Sequence, residues 1–141
     1  MNKGRPINIW YDFSMKRLLY LFLFSFLLNL VWENLHSYLY DNYMGGRIAE
    51  FILLRATFAD AVMVTLICLP FVYIKYFNER RWIMPIFGIT LAIFIEKYAL
   101  STARWAYNPF MPLIPILNVG LTPTIQLGLI GYLSYRLVYS T

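Results

Sequence analysis

Glu33 and His36 stand three residues apart in the segment Trp32-Glu33-Asn34-Leu35-His36. On a helix, that spacing sets a carboxylate and an imidazole one turn apart on the same face. A buried pair of this kind can take up and release a proton, the basis of general acid/base chemistry. Two further carboxylates, Asp60 and Glu96, lie within apolar runs. Glu33, His36, Asp60 and Glu96 are therefore the candidate catalytic centre. Glu-x-x-His is also the spacing of carboxylate-bridged di-iron bundles, but those need two such motifs and this chain has a single histidine. Neither a metal nor a cofactor is expected.

The candidate ligand-binding residues surround this centre. Asn29, Glu33, His36 and Tyr40 are spaced four, three and four apart, one helical stripe. Asn29 offers a neutral hydrogen-bonding group, and Gln126 offers another from the last apolar run. Arg55, Lys97 and Arg104 are the bases within reach. Three acids against three bases predict ion pairs, which would make charge tolerable in an apolar setting. The run Arg104-Trp105-Ala106-Tyr107-Asn108 adds a guanidinium suited to a phosphate or carboxylate, with aromatic rings and an amide beside it. Arg104 and Gln126 are expected to orient a ligand's polar end. The plainer reading of Trp105, Tyr107 and the other tyrosines, Tyr40 included, is an interfacial aromatic belt.

These residues need elements to hold them, and composition says which kind. The chain of 141 residues is 60% hydrophobic, 19% aromatic and only 13% charged, whereas a soluble domain carries about a quarter charged residues. Such a surface requires lipid as its solvent. Four apolar segments, about 18–40, 48–76, 82–103 and 121–139, are long enough to cross a bilayer. Gly45-Gly46, Asn78-Glu79-Arg80-Arg81 and the proline-rich stretch after Arg104 separate them. The expected fold is all-α: a single transmembrane domain over residues 1–141, built as a four-helix bundle. Residues 1–17 read as an interfacial segment. Leu113 to Gly120, too short to span, reads as a re-entrant or capping segment before the last helix. Ala61, Ser101 and Gly128 are expected to let helices approach closely.

Depth follows from a rise of about 1.5 Å per residue: Glu33 lies roughly 22 Å beyond Leu18 and Glu96 roughly 21 Å beyond Trp82. Asp60 lies roughly 18 Å from Ile48, and Gln126 is near the start of its segment. All four segments thus carry their polar groups toward one side. With the amino terminus in the cytoplasm, eight of the twelve cations fall on the cytoplasmic side. That places both termini there and the polar chamber toward the outer leaflet. The net charge of +5 is accounted for by cations at segment ends, where they meet anionic headgroups, so nucleic acid is not an expected partner. Cys68 is the sole cysteine, which excludes an internal disulfide and a multi-cysteine metal site. The chain has no phosphate-cradling glycine loop, no Gly-x-Ser-x-Gly elbow, no His-Glu-x-x-His and no Cys-x-x-Cys.

The residues Trp32-Glu33, Ala59-Asp60-Ala61, Glu96, Arg104-Trp105-Ala106-Tyr107-Asn108, Met111-Pro112 and Pro123-x-x-Gln126 together resemble a pattern in small polytopic bacterial inner-membrane proteins of unknown function. That resemblance implies the bacterial inner membrane as location and implies no activity. A fainter likeness is to membrane lycopene cyclase domains, whose aromatic-rich segment precedes Pro-x-Glu-Glu; here the comparable place reads Pro123-Thr124-Ile125-Gln126, without the acidic pair.

The function expected from these observations is binding, with or without transformation, of an amphipathic lipid or isoprenoid-like small molecule in the polar chamber. The alternatives are a small proton-coupled transporter acting as a homodimer, and an assembly or scaffold subunit in which the charges only pair helices.

Overall fold

A computed structural model describes the backbone of residues 8–139 and the side chains of residues 15–139. The chain is mostly helical. Helix α1 (Asn8–His36) runs through a 3-10 turn (Ser37–Leu39) into strand β1 (Tyr40–Tyr43). Helix α2 (Glu50–Tyr73) is followed by the short α3 (Lys75–Asn78), a 3-10 turn (Arg81–Ile83) and α4 (Met84–Ser101). Strands β2 (Trp105–Tyr107), β3 (Leu113–Ile114) and β4 (Val119–Gly120) lead into α5 (Leu121–Tyr139).

Three stretches, Met15–Leu39, Glu50–Tyr73 and Arg81–Ser101, are long and apolar enough to cross a membrane. The fourth expected segment is α5, with the expected bounds but a more polar make-up. The reason is position. α5 packs against α1, α2 and α4, so it carries Thr124, Gln126 and Ser134 as buried residues, while Leu121, Leu129, Leu133 and Leu137 are the large apolar side chains it shows outward. The segment expected at 48–76 stops at Tyr73, because Ile74 is extended. Asn78 Nδ2 then donates to the freed Phe71 carbonyl at 2.9 Å and to the Tyr135 hydroxyl at 3.0 Å. Of the interfacial segment expected over 1–17, residues 1–7 lie outside the described residues, and from Asn8 the backbone already belongs to α1.

The tightest helix contact joins α4 and α5. A Cβ built on Gly88 would lie 2.4 Å from the Gly128 Cα, and one on Gly128 would lie 2.6 Å from the Pro85 carbonyl oxygen. Only two facing glycines permit that approach. Ala61 is fully buried as expected of a close contact, whereas Ser101 is exposed and plays no such part. Around this seam the core is assembled from Leu21, Val64, Phe71, Met84, Ile130 and Tyr135.

The all-α expectation needs one correction: the loops at one end of the helices form two small antiparallel sheets. β1 pairs with β2, matching Tyr40 with Tyr107 and Tyr43 with Trp105 across a bulge. β3 pairs with β4, so the stretch expected as a re-entrant or capping segment before the last helix is a short hairpin. The β1–β2 pairing is long-range. Met44 N–H donates to the Arg104 carbonyl at 2.6 Å and Asn108 N–H to the Leu39 carbonyl at 3.0 Å. The sheet therefore ties the end of α1 to the end of α4.

Candidate functional site

Gln126 lies in the second turn of α5, just beyond Pro123, and is 4% exposed. Its Nε2 faces three oxygens on two other helices: Asn29 Oδ1 at 2.9 Å, Glu33 Oε1 at 2.7 Å and Asp60 Oδ2 at 2.9 Å. A primary amide has two hydrogens, so three acceptors compete for them. Asn29 is aimed by its own amide, which donates to the carbonyl and hydroxyl of Ser25 at 3.0 and 3.2 Å. The node gathers α1, α2 and α5.

Glu33 Oε2 meets His36 Nε2 at 3.3 Å. The other ring nitrogen, Nδ1, accepts from the Trp32 indole N–H at 3.1 Å. An indole nitrogen can only donate. Nδ1 must therefore present its lone pair, and Nε2 carries the hydrogen that points at Glu33. Trp32 and His36 are one turn apart on α1, so local helical geometry alone fixes this tautomer.

Glu96 forms a second node. Its Oε2 accepts from Trp105 Nε1 at 3.2 Å and from the Tyr107 hydroxyl. The Tyr107 oxygen in turn accepts from the Gly120 N–H at 2.9 Å, which links α4, β2 and β4. Burial and the bond to Glu96 push the Tyr107 hydroxyl up from its ordinary value, so it is a donor throughout the neutral range. Tyr40 stands between the two nodes, its ring centroid 5.3 Å from His36, 5.4 Å from Tyr107 and 6.2 Å from Trp105.

Both nodes border one cavity of about 530 Å³. Glu33, His36, Asp60, Glu96, Trp105 and Gln126 all line it, as do Arg55 and Arg104. All four candidate catalytic residues thus share one space. The remaining candidates stand elsewhere. Asn29 is fully buried behind Gln126. Tyr107 supports Glu96 from outside the wall. Asn108 is a staple, donating to the Tyr38 carbonyl and accepting from the Phe110 N–H. Lys97 is exposed on a different face of α4 from Glu96 and does not reach the cavity.

The expected ion pairs are not formed. Among the described residues, no salt bridge joins Glu33, Asp60 or Glu96 to Arg55, Lys97 or Arg104. Arg55 donates to the Tyr43 hydroxyl and lies 5.6 Å from that ring's centroid. The hydrogen bonds these carboxylates accept come instead from Gln126, His36, Trp105 and Tyr107. Two residues join the site beyond those expected: Trp32, which holds His36, and Tyr40, which lines the cavity and is more than a belt residue. The available signals were the four-residue spacing of Trp32 and His36 and the place of Tyr40 on the Asn29–Glu33–His36 stripe. Among the described residues, no three His, Cys, Asp or Glu side chains are grouped to hold a metal ion. Compared with protein-family models, with curated proteins and with solved structures, the chain matches none.

Proposed function

We propose that this protein is a four-helix integral membrane protein whose cavity takes the polar end of an amphipathic lipid or isoprenoid-like small molecule. The outward faces support lipid as the surrounding solvent. Leu19, Leu23, Leu27, Val31 and Leu35 of α1, each at least 44% exposed, recur every fourth residue. Exposed Phe51, Leu54, Phe58, Val62 and Leu66 recur every third or fourth residue along α2. Water would not tolerate such continuous apolar stripes. On this reading the distribution of cations favours both termini in the cytoplasm of a bacterial inner membrane. With α5 as a fourth crossing beside the three membrane-capable stretches, both termini fall on one side and the cavity lies toward the outer leaflet.

The observation that carries the functional reading is the meeting of Glu33, Asp60 and Glu96, from three helices, in one cavity, with none of the bases Arg55, Lys97 and Arg104 paired to them. Ionisable groups at membrane depth are costly and mark functional sites. Glu33, with the His36 N–H behind it, is the group suited to accept or return a proton. Mass spectrometry of lipids extracted from the protein, purified in mild detergent, tests the reading. A specific lipid should co-purify and should be lost in Glu33→Gln. Recovery of only bulk lipid in wild type, unchanged in the variant, would count against it.

One observation favours a second reading, a dimeric proton-coupled carrier. The three acceptors around Gln126 outnumber its two amide hydrogens, which leaves a place for a bound proton between Glu33 and Asp60. That reading requires a stable dimer and loss of proton-coupled flux in Asp60→Asn.

A further inference from the structure

The cavity combines three carboxyl groups, an aromatic wall and, at its rim, a guanidinium with no partner among the described residues. From this combination we propose the ligand's polar end: a primary ammonium joined to a phosphate, as in an amine-bearing phospholipid headgroup. This inference rests on the reading of the cavity as a lipid site and names what that site selects.

The floor favours a cation. Glu96 is 4% exposed, and both of its hydrogen bonds fall on Oε2, so Oε1 has no partner among the described residues. The donors around the three acids are a glutamine amide, an indole, a phenol and an imidazole whose Nδ1 is occupied by Trp32. None of these is a fixed positive charge. Arg55 and Arg104 line the same cavity but form no ion pair with these carboxylates among the described residues, and a ligand cation would supply that direct pairing. A primary ammonium has three donors, which suits carboxyl oxygens on several sides better than a quaternary ammonium does. The ring faces add to this preference. Tyr40 and Trp105 line the same cavity, and the neighbouring Tyr43 ring already faces the Arg55 cation at 5.6 Å.

The rim favours a phosphate. Arg104 lines the cavity and is exposed; among the described residues its guanidinium makes no hydrogen bond or ion pair. Its backbone is held at both sides, with its N–H donating to the Ala99 carbonyl at 2.8 Å and its own carbonyl accepting from Met44 at 2.6 Å. The side chain therefore projects from a fixed point, and a guanidinium fork matches phosphate oxygens in pairs. A neutral isoprenoid alcohol would leave both the floor and the rim unmatched.

The test is native mass spectrometry of the detergent-purified protein with dioleoyl-phosphatidylethanolamine, dioleoyl-phosphatidylglycerol and dioleoyl-phosphatidic acid. These share acyl chains and differ in headgroup. The ethanolamine lipid should bind about tenfold or more tightly than the glycerol lipid, the scale of a desolvated charge pair. Glu96→Gln and Asp60→Asn should each abolish that preference. The amide oxygen introduced by Glu96→Gln can still accept from Trp105 and Tyr107, so the fold should persist, checked by an unchanged melting temperature. If Glu96→Gln does not fold, Asp60→Asn decides. Arg104→Gln should weaken the ethanolamine lipid and phosphatidic acid alike. Soluble phosphoethanolamine at equal concentration should fail to displace the lipid; displacement would overturn a lipid source. Equal binding of the ethanolamine and glycerol lipids, or a preference that survives in the folded variants, would overturn the headgroup assignment. Ala56→Phe, which narrows the cavity, separates the two levels. If it abolishes binding that shows no headgroup preference, only the present inference fails. If every lipid binds as before, the cavity reading fails with it.

Discussion

The indole N–H of Trp32 donates to Nδ1 of His36 at 3.1 Å, and that contact decides which ring nitrogen carries the hydrogen facing Glu33. Trp32→Phe should release Nδ1 and let the ring exchange tautomers. Histidine ¹⁵N spectra should show a single Nε2–H form in the wild type and tautomer-averaged resonances in the variant. A ring that stays in the Nε2–H form without Trp32 would show that another contact sets the tautomer.

Gln126 is the keystone of the first node. Gln126→Leu should remove the donor shared by Asn29 Oδ1, Glu33 Oε1 and Asp60 Oδ2. Leaving buried acceptors unmatched costs about 1–3 kcal/mol each, so a loss of about 3 kcal/mol is expected. Denaturation in detergent would measure it, and a double-mutant cycle with Glu33→Gln should show coupling, since the two side chains are 2.7 Å apart.

The glycine seam predicts a contrast between neighbours. Gly88→Ala and Gly128→Ala should each destabilise by about 3 kcal/mol or more, because the added methyl meets backbone that cannot yield. Gly131→Ala should be neutral or stabilising by up to about 1 kcal/mol, because its Cβ would meet only Val64 Cγ1 at an ordinary 3.8 Å. Thermal melts of the three variants decide the matter; equal losses at all three positions would refute the seam.

Tyr107 gives a pH prediction. Its hydroxyl is pushed up from the ordinary value of 10.0, so the folded state favours the protonated form. The stability it contributes is complete below the unfolded value and is lost as pH rises above it toward the raised folded value. Absorbance titration should show no Tyr107 ionisation near pH 10.0. Tyr107→Phe should lower stability by about 1–2 kcal/mol at neutral pH and flatten the alkaline decline. The same decline in the variant would assign it to another group.

Lys97 supplies a control. Exposed and remote from the cavity, it should tolerate Lys97→Ala within about 0.5 kcal/mol and leave ligand binding unchanged, as a melt and the binding assay would report.

Much of this arrangement was legible in the chain. Apolar run length marked the helices, and fixed rise per residue set Glu33, Asp60, Glu96 and Gln126 at a common level. Fixed rotation per residue put Asn29, Glu33 and His36 on one stripe, and the same rule orders Trp32 beneath His36. These are properties of a single helix, so local sequence determines them. The partners across helices were another matter. Balanced acids and bases suggested salt bridges, yet the tertiary structure answers the acids with Gln126, Trp105 and Tyr107. Glu96 and Lys97 are adjacent in sequence, and about 100° of helical rotation separates them. Which of the two turns inward depends on how α4 seats against α5, and that is set by the meeting of Gly88 with Gly128. The β1–β2 pairing likewise joins residues far apart in the chain, such as Tyr43 and Trp105, with no periodic signal in strands of four and three residues. The sequence determined which groups share a level; only packing determined which of them face one another.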